Sequence, residues 1–179
     1  MTLSQKNHWL DCVSDLLADE AVRSMDAFPQ HRTGFSCYRH CIWVSQISFR
    51  LCGALGWNAR EAARGALLHD LYLYNWMDRG LPGLWRHLLD HPAQALENAK
   101  ARFPLTDREA DIIRSHMFPI STVRHHYRES VIVELSDKFC ALSETLGLFP
   151  RRLDFPQPSG HSAPNAVYPT ENRAYFSHP

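Results

Sequence analysis

Apolar residues recur every three or four positions along most of the chain, which is the period of an amphipathic α-helix. In the first half, this pattern predicts four helices, over residues 3–19, 20–28, 37–55 and 59–70. Ser36 and Asn58 precede the third and fourth segments as candidate N-caps, and Gly56 follows the third as a candidate C-cap. No long segment shows the strict alternation of apolar and polar residues that predicts a β-strand.

The second half of the chain is interrupted by more glycine and proline. Residues 71–90 contain two glycines and a proline, and we expect a loop there with one helical turn near residues 85–88. Helices are predicted beyond this loop, over residues 92–102, 107–116 and 128–146. Pro92 would open the first of them, because proline is favoured at the first helical position. The sequence therefore predicts an all-α fold, a bundle of about six or seven helices.

The composition changes after residue 148. Residues 149–179 hold six of the eleven prolines, among Ser, Asn and Gly. Such a segment has too little apolar surface to build a second core, and its composition favours an extended or disordered tail. We therefore expect one helical domain over residues 1–148 and an irregular, Pro-rich C-terminal tail over residues 149–179.

The charge balance and the cysteine content limit the binding partners and the cellular compartment that the sequence predicts. The chain has 19 Lys and Arg against 19 Asp and Glu, so its charge gives no argument for binding a nucleic-acid polymer or a membrane. No apolar run approaches the roughly 18 residues needed to cross a bilayer. The first residues, MTLSQKNHWLDC, lack the apolar core of a signal peptide. The five cysteines have no paired spacing, so we expect reduced structural thiols in a cytoplasmic protein.

Side chains that can bind metal ions lie in or at the ends of the predicted helices. His69 and Asp70 are adjacent at the end of an apolar segment, where an unpaired carboxylate would be costly to bury. In chain order the candidate ligands are His40, His69, Asp70, His91, His116 and Asp137. Imidazole and carboxylate ligands without cysteine suit Fe, Mn, Co, Ni, Zn or Mg, bound as one ion or two.

This ordered set resembles the HD-domain superfamily of metal-dependent phosphohydrolases, in particular its small bacterial members. The resemblance covers roughly residues 30–147 and lies in the segments CYRHCIWVSQIS, ARGALLHDLYLYNW, HPAQALENAK, DIIRSHMFP and VELSDKFCALSE. It implies an HD-type helical domain in which Asp70 bridges two divalent ions. The further ligands that it implies are His40, His69 and Asp137 for one ion, and His91 and His116 for the other.

The resemblance also implies an activity. It implies a hydrolase, either a phosphomonoesterase or a phosphodiesterase, in which a metal-activated hydroxide cleaves a small phosphate ester, with nucleotides among the candidate substrates. We predict catalytic roles for Asp70, for His87 as a substrate contact and for Lys138 as a phosphate contact. Many phosphodiesterase members carry a lysine shortly after the HD pair, and this chain has none at residues 71–75. The candidate cations for a phosphate are instead Arg39, Arg64, Arg124 and Lys138.

Two other functions are compatible with the same set of candidate ligands. Some superfamily members are di-iron oxygenases, and a non-catalytic module could keep a metal for stability alone. The aromatic side chains near the HD pair could stack on a nucleobase, although packing of the loop onto the bundle is the simpler expectation. These are Tyr72, Tyr74, Trp76 and Trp85. The sequence leaves open the substrate, the identity and number of the metal ions, and the oligomeric state.

Overall fold

The structure, a computed structural model, describes residues 1–30, 35–76 and 80–148. Within these ranges it holds seven α-helices and no β-strand, which confirms the predicted all-α fold. The helices are α1 (Leu3–Ala18), α2 (Glu20–Ser24), α3 (Cys37–Ala54), α4 (Ala59–Leu68), α5 (Gly80–Lys100), α6 (Asp107–Ser115) and α7 (Arg128–Thr145). The predicted tail, residues 149–179, lies outside the described residues. Among the helices in these ranges, none has both the length and the hydropathy needed to span a bilayer.

Local sequence explains where most of the helices begin and end. The side chains of Ser36, Asn58 and Thr106 each accept a hydrogen bond from the backbone N–H three residues later. These bonds satisfy donors that the first turn of a helix leaves unpaired. Gly56 and Gly147 adopt φ values of 68° and 71° just after α3 and α7. This left-handed conformation is the usual glycine C-cap, so the predicted ends of these helices are confirmed.

The core lies around α3 and α4. These two helices pack against each other, α3 also packs against α7, and α4 also packs against α1 and α6. Trp9 of α1 is fully buried, and its indole Nε1 donates a hydrogen bond to the hydroxyl of Ser45 at 2.9 Å. Ser45 in turn donates to the backbone carbonyl of Ala63 at 2.7 Å. This chain of bonds satisfies the buried indole N–H and links α1, α3 and α4.

Helices α4 and α6 approach closely at Gly65. A Cβ atom at this position would lie 2.8 Å from Cγ2 of Ile112, which is closer than packed carbon atoms allow. Glycine is therefore required by the approach of the two helices. His69 and His116 follow the last residues of these helices, and their ring centroids lie 4.8 Å apart.

Helix α7 receives its N-terminal cap from another helix. Tyr127 precedes α7 without a capping side chain. Asp111 of α6 instead accepts hydrogen bonds from the backbone N–H groups of His126 and Tyr127, at 3.0 and 3.3 Å. The hydroxyl of Ser130 also donates to this carboxylate, at 2.6 Å. The carboxylate fixes the start of α7 relative to α6 and satisfies the backbone N–H groups of the two residues just before the helix.

The predicted loop over residues 71–90 is wrong in its second half. Helix α5 begins at Gly80, and Pro92 lies in its interior rather than at its first position. An interior proline lacks the N–H that would bond the preceding turn, which costs about 3 kcal/mol. Burial on one face of α5 outweighs this cost, because side chains four residues apart all face the core. They are His87, His91, Ala95 and Ala99.

Candidate metal centre

The structure brings the six predicted ligands together in one buried cluster. They come from five helices: His40 from α3, His69 and Asp70 from the end of α4, His91 from α5, His116 from the end of α6, and Asp137 from α7. All six side chains are buried. Residues almost a hundred positions apart therefore share one buried polar pocket.

One half of the cluster is formed by His40, His69 and Asp137. Asp137 Oδ1 lies 2.9 Å from Nε2 of His40 and 3.5 Å from Nε2 of His69. The potential ligand atoms of these three residues all lie within 4.8 Å of one another. Two imidazole nitrogens and a carboxylate oxygen at this separation can bind a single divalent ion.

The other half is formed by His91 and His116, and Asp70 lies between the two halves. Nε2 of His91 is 2.8 Å from Nε2 of His116 and 3.2 Å from Asp70 Oδ1. Nε2 of His116 is 3.5 Å from the same oxygen. The other oxygen of Asp70, Oδ2, lies 3.4 Å from Nε2 of His69. The two oxygens of one carboxylate thus face the imidazoles of different halves.

Hydrogen bonds to backbone carbonyls orient three of the imidazoles. Nδ1 lies 2.7 Å from the carbonyl of Ala66 in His69, 2.7 Å from that of His87 in His91, and 2.8 Å from that of Ile113 in His116. A carbonyl oxygen only accepts, so each Nδ1 carries the proton. In the neutral imidazole, each Nε2 then presents a lone pair to the pocket, which is the tautomer that a metal ligand needs.

The pocket has polar atoms that the protein itself does not satisfy. Among the described residues, neither Nε2 of His69 nor Oδ1 of Asp70 has a hydrogen-bond partner, although both are buried. The lone pairs on Nε2 of His91 and His116 face each other across 2.8 Å. Two lone pairs in such contact repel one another unless a proton or a metal ion lies between them. The donor set therefore fits bound cations better than a closed network of hydrogen bonds.

Charge in the pocket leads to the same conclusion. Burial alone would raise the pKa of Asp70 and Asp137, but the surrounding imidazoles lower both pKa values well below their usual range. Burial alone would lower the pKa of His40, but Glu144 and Asp137 raise it well above its usual value. The pKa of His116 is lowered, mainly by burial. The carboxylates therefore stay ionised, and the pocket favours positive charge.

Glu144 belongs to this centre, and the sequence analysis did not identify it. Its carboxylate is fully buried and accepts a hydrogen bond from Nδ1 of His40 at 2.8 Å. This bond leaves Nε2 of His40 to face Asp137. A carboxylate behind a ligating imidazole fixes the ring and increases its basicity. The signal in the sequence was an acidic residue seven positions after Asp137, on the same face of a helix.

Gln30 and Tyr72 form a second support that the sequence analysis missed. The side-chain amide of Gln30 donates to Oδ2 of Asp70 at 2.6 Å, and the Tyr72 hydroxyl donates to Oε1 of Gln30 at 2.9 Å. Both residues are buried. The amide thus holds the carboxylate that lies between the two halves. No periodicity in the sequence indicates this contact, because Gln30 precedes α3 and lies 40 positions from Asp70.

His87, predicted as a substrate contact, lies against the centre. Its ring stacks on the ring of His91 with centroids 4.5 Å apart, and on Trp76 with centroids 5.4 Å apart. Its Nδ1 lies 2.8 Å from the Tyr74 hydroxyl. Aromatic residues after the HD pair therefore pack around His87, as expected of a loop folded onto the bundle. Trp85, by contrast, is exposed on α5.

The predicted cations lie in different surroundings. Nζ of Lys138 donates to the carbonyl of Phe118 at 2.9 Å and to Glu134, so it is held beside the centre rather than within it. The guanidinium of Arg64 forms ion pairs with Asp15 and Glu109, away from the six candidate ligands.

Two buried thiols lie next to Asp70. The Cys37 thiol is 3.5 Å from the backbone carbonyl of Asp70, and the Cys41 sulfur is 3.8 Å from Nδ1 of His69. Sulfur atoms of both lie within 4.8 Å of a carboxylate oxygen of Asp70 and of each other. Burial raises the pKa of Cys41 well above its usual value, which disfavours the thiolate that binds metals. This agrees with the expected structural role of these cysteines.

Comparison with known proteins gives one match, to a protein family. No curated protein and no solved structure matched the chain. A family model described as HD domain matches residues 37–142, which is more than half of the 179 residues. The match begins before His40 and ends after Asp137, so it spans all six candidate ligands in the pocket. The chain belongs to the HD-domain family.

Proposed function

We propose that this protein is a metal-dependent phosphohydrolase that cleaves a small phosphate ester at a site for two divalent ions. The observation that carries the proposal is the position of Asp70 between two sets of imidazoles, with Oδ2 3.4 Å from His69 Nε2 and Oδ1 3.2 Å from His91 Nε2. A carboxylate in this position can bridge two ions. The remaining ligands would be His40, His69 and Asp137 for one ion, and His91 and His116 for the other.

Divalent ions bound there would supply Lewis-acid activation of water and offset the charge on the phosphoryl oxygens. The protein contributes orientation. Backbone carbonyls and Glu144 hold the imidazoles with Nε2 facing inward, and Gln30 holds Asp70. His87, which stacks on His91, is the proposed substrate contact. Lys138 could reach a phosphate only by leaving Glu134 and the Phe118 carbonyl.

The test is a panel of phosphomonoesters, phosphodiesters and nucleotides with added Mn²⁺, Co²⁺, Ni²⁺ or Mg²⁺, in which monoester hydrolysis is measured as phosphate release and diester hydrolysis as formation of the monoester product. We expect turnover that requires metal. Asp70→Asn should lose both bound metal and more than about 1,000-fold in turnover, because several kcal/mol of charge stabilisation would be removed. Asp90→Asn is the matched control, since Asp90 lies beside His91 in the sequence but is exposed.

Two results would contradict the proposal. Turnover that survives in Asp70→Asn would show that the reaction does not use this centre. Oxygen consumption by iron-loaded protein without hydrolysis of any ester would instead support the oxygenase alternative. Metal analysis of the purified protein tests the number of ions, because two equivalents are expected and Asp70→Asn should hold fewer.

A further inference from the structure

The outer face of α7 carries a row of exposed apolar side chains. Its members, with their exposed fractions, are Val131 (41%), Leu135 (57%), Phe139 (57%), Leu142 (60%) and Leu146 (60%). They are separated by four, four, three and four residues, so they form one stripe along the helix. Leu148, just beyond the helix, is 70% exposed. Scattered apolar side chains are normal on a surface, whereas a continuous stripe marks an interaction site.

The inner face of α7 explains why this stripe cannot pack into the protein's own core. That face is occupied by buried acidic side chains, namely Glu129, Glu134, Asp137 and Glu144. Asp137 and Glu144 are bound to His40, and Glu134 is paired with His125. Rotating α7 to bury the stripe would expose this polar network and break the candidate metal centre. The apolar face is therefore fixed on the outside.

The area of the stripe is sufficient for a stable association. Taking roughly 175 Å² for a large apolar side chain, the exposed fractions of the stripe and Leu148 give on the order of 600 Å² per chain. Two such surfaces would bury about 1,200 Å², which lies at the lower end of specific protein–protein interfaces and above most crystal contacts.

The spacing of the stripe is self-complementary. Residues 131 and 146, and residues 135 and 142, lie at equal distances from a point between Lys138 and Phe139. An antiparallel copy of α7 would therefore place Leu135 against Leu142 of the other chain and the two Phe139 rings near the axis. A two-fold interface requires such a self-complementary patch, and antiparallel helices also align their dipoles favourably. The ammonium group of Lys138 bonds to Glu134 and the Phe118 carbonyl, beside the stripe.

We propose that the protein forms a two-fold symmetric dimer in which α7 packs antiparallel against α7 of a second copy. Apolar side chains on both helices fill the interface, and the two candidate metal centres lie on its opposite sides. This proposal rests on the outer face of α7 and does not depend on the proposed hydrolase activity.

The first experiment measures the mass of the full-length protein in solution by light scattering, at micromolar concentration. The wild-type chain should have the mass of two chains. The double variant Leu135→Glu, Leu142→Glu should have the mass of one, with a dimer dissociation constant raised more than about 100-fold by the like charges brought together. Leu89→Glu is the matched control, because Leu89 is 54% exposed on α5, and it should remain a dimer. A monomeric wild type, or a double variant that still dimerises, would overturn the proposal.

The second experiment tests the register without depending on the charged variants. Cysteine introduced together at positions 135 and 142 should form a disulfide between chains under mild oxidation. Cysteine at 135 alone should not, since its copy would lie about 10 Å away along an antiparallel helix. Efficient cross-linking of the single variant would indicate a parallel arrangement and would contradict the proposal. Wild-type protein is the control for the five native cysteines.

A photoreactive phenylalanine analogue at position 139 tests which segment or protein covers this face of α7. Cross-links to α7 of a second chain support the dimer. Cross-links within one chain to residues 149–179 would show that this segment covers the stripe and would overturn the proposal, as would cross-links only to an unrelated protein.

Discussion

Helices α4 and α7 both pack on α3, but they are held there by different forces. In α4 seven consecutive residues, 62–68, are buried, and all except Arg64 are apolar or glycine. In α7 the buried positions are mostly polar, and Val133 and Cys140 are the apolar exceptions. Apolar burial stabilises α4 whatever the ligands do. The position of α7 depends instead on hydrogen bonds and ion pairs, some of them within the candidate metal centre.

This difference distinguishes α4, which acts as a rigid support, from α7, whose position depends on the candidate metal centre. His69 and Asp70 are presented by α4, whose packing against α1, α3 and α6 gives them a rigid base. Asp137 and Glu144 are presented by α7, whose inner face has few apolar contacts to hold it without the centre. Changes in α4 should therefore act on folding, and changes on the inner face of α7 should act on metal binding.

The largest effect on stability is expected in α4, from Gly65→Val. A Cβ at this position would lie 2.8 Å from Ile112, so the side chain must force α4 and α6 apart. We expect a loss of about 3 kcal/mol in the free energy of unfolding, measured by urea denaturation, with and without metal. Gly53→Ala is the control, because its Cβ would meet the nearest atom at 3.8 Å. Equal stability of the two variants would refute the close approach of these helices.

A smaller effect, and one specific to the metal, is expected from Glu144→Gln in α7. The amide keeps the shape of the side chain but loses the charge that faces His40. Metal affinity, measured by competition with a chromophoric chelator, should fall about 10- to 100-fold, as is typical when a carboxylate behind a ligating imidazole is removed. Thr145→Ala, an exposed neighbour, should leave it unchanged. Unchanged affinity in Glu144→Gln would assign Glu144 a structural role alone.

The smallest effect concerns the cap of α7, and it depends on pH. Burial would raise the pKa of Asp111, but hydrogen bonds from Ser130, His126 and the Tyr127 backbone outweigh it and lower the pKa. The ionised carboxylate therefore stabilises the fold above its unfolded-state pKa of about 4, and this stabilisation is lost as the pH falls through the lower folded-state pKa. Asp111→Asn should cost about 1 kcal/mol near neutral pH.

Urea denaturation over a range of pH tests this cap. The difference in unfolding free energy between wild type and Asp111→Asn should shrink as the pH falls below about 4, where the carboxyl group of the unfolded chain binds a proton, and should disappear below the lower folded-state pKa. The control is Asp11→Asn, on the exposed side of α1. A difference that does not change with pH would mean that the charge of Asp111 contributes nothing to the cap.

Much of the fold could be predicted because helix boundaries depend on neighbouring residues. Caps such as Ser36 and Thr106 act within one turn, and glycine at the C-cap acts at a single residue. The start of α5 was mispredicted because the glycines and proline within residues 71–90 indicated a loop and Pro92 suited a first helical position, both judged without the core against which the helix packs. The order of His and Asp residues predicted which side chains the structure brings together, and their role as metal ligands stays a prediction.

By itself, the sequence determined the helical class, most helix ends and the chemical types of the candidate ligands, since periodicity and side-chain chemistry are local properties. Only the tertiary structure decided that Gln30 holds Asp70, and that Glu144 supports His40 from 104 positions away. It also decided that the apolar face of α7 points outward. The hydrophobic pattern would place that face inside, but Glu134, Asp137 and Glu144 on the other face pair with imidazoles of the protein, and that pairing fixes the orientation of the helix.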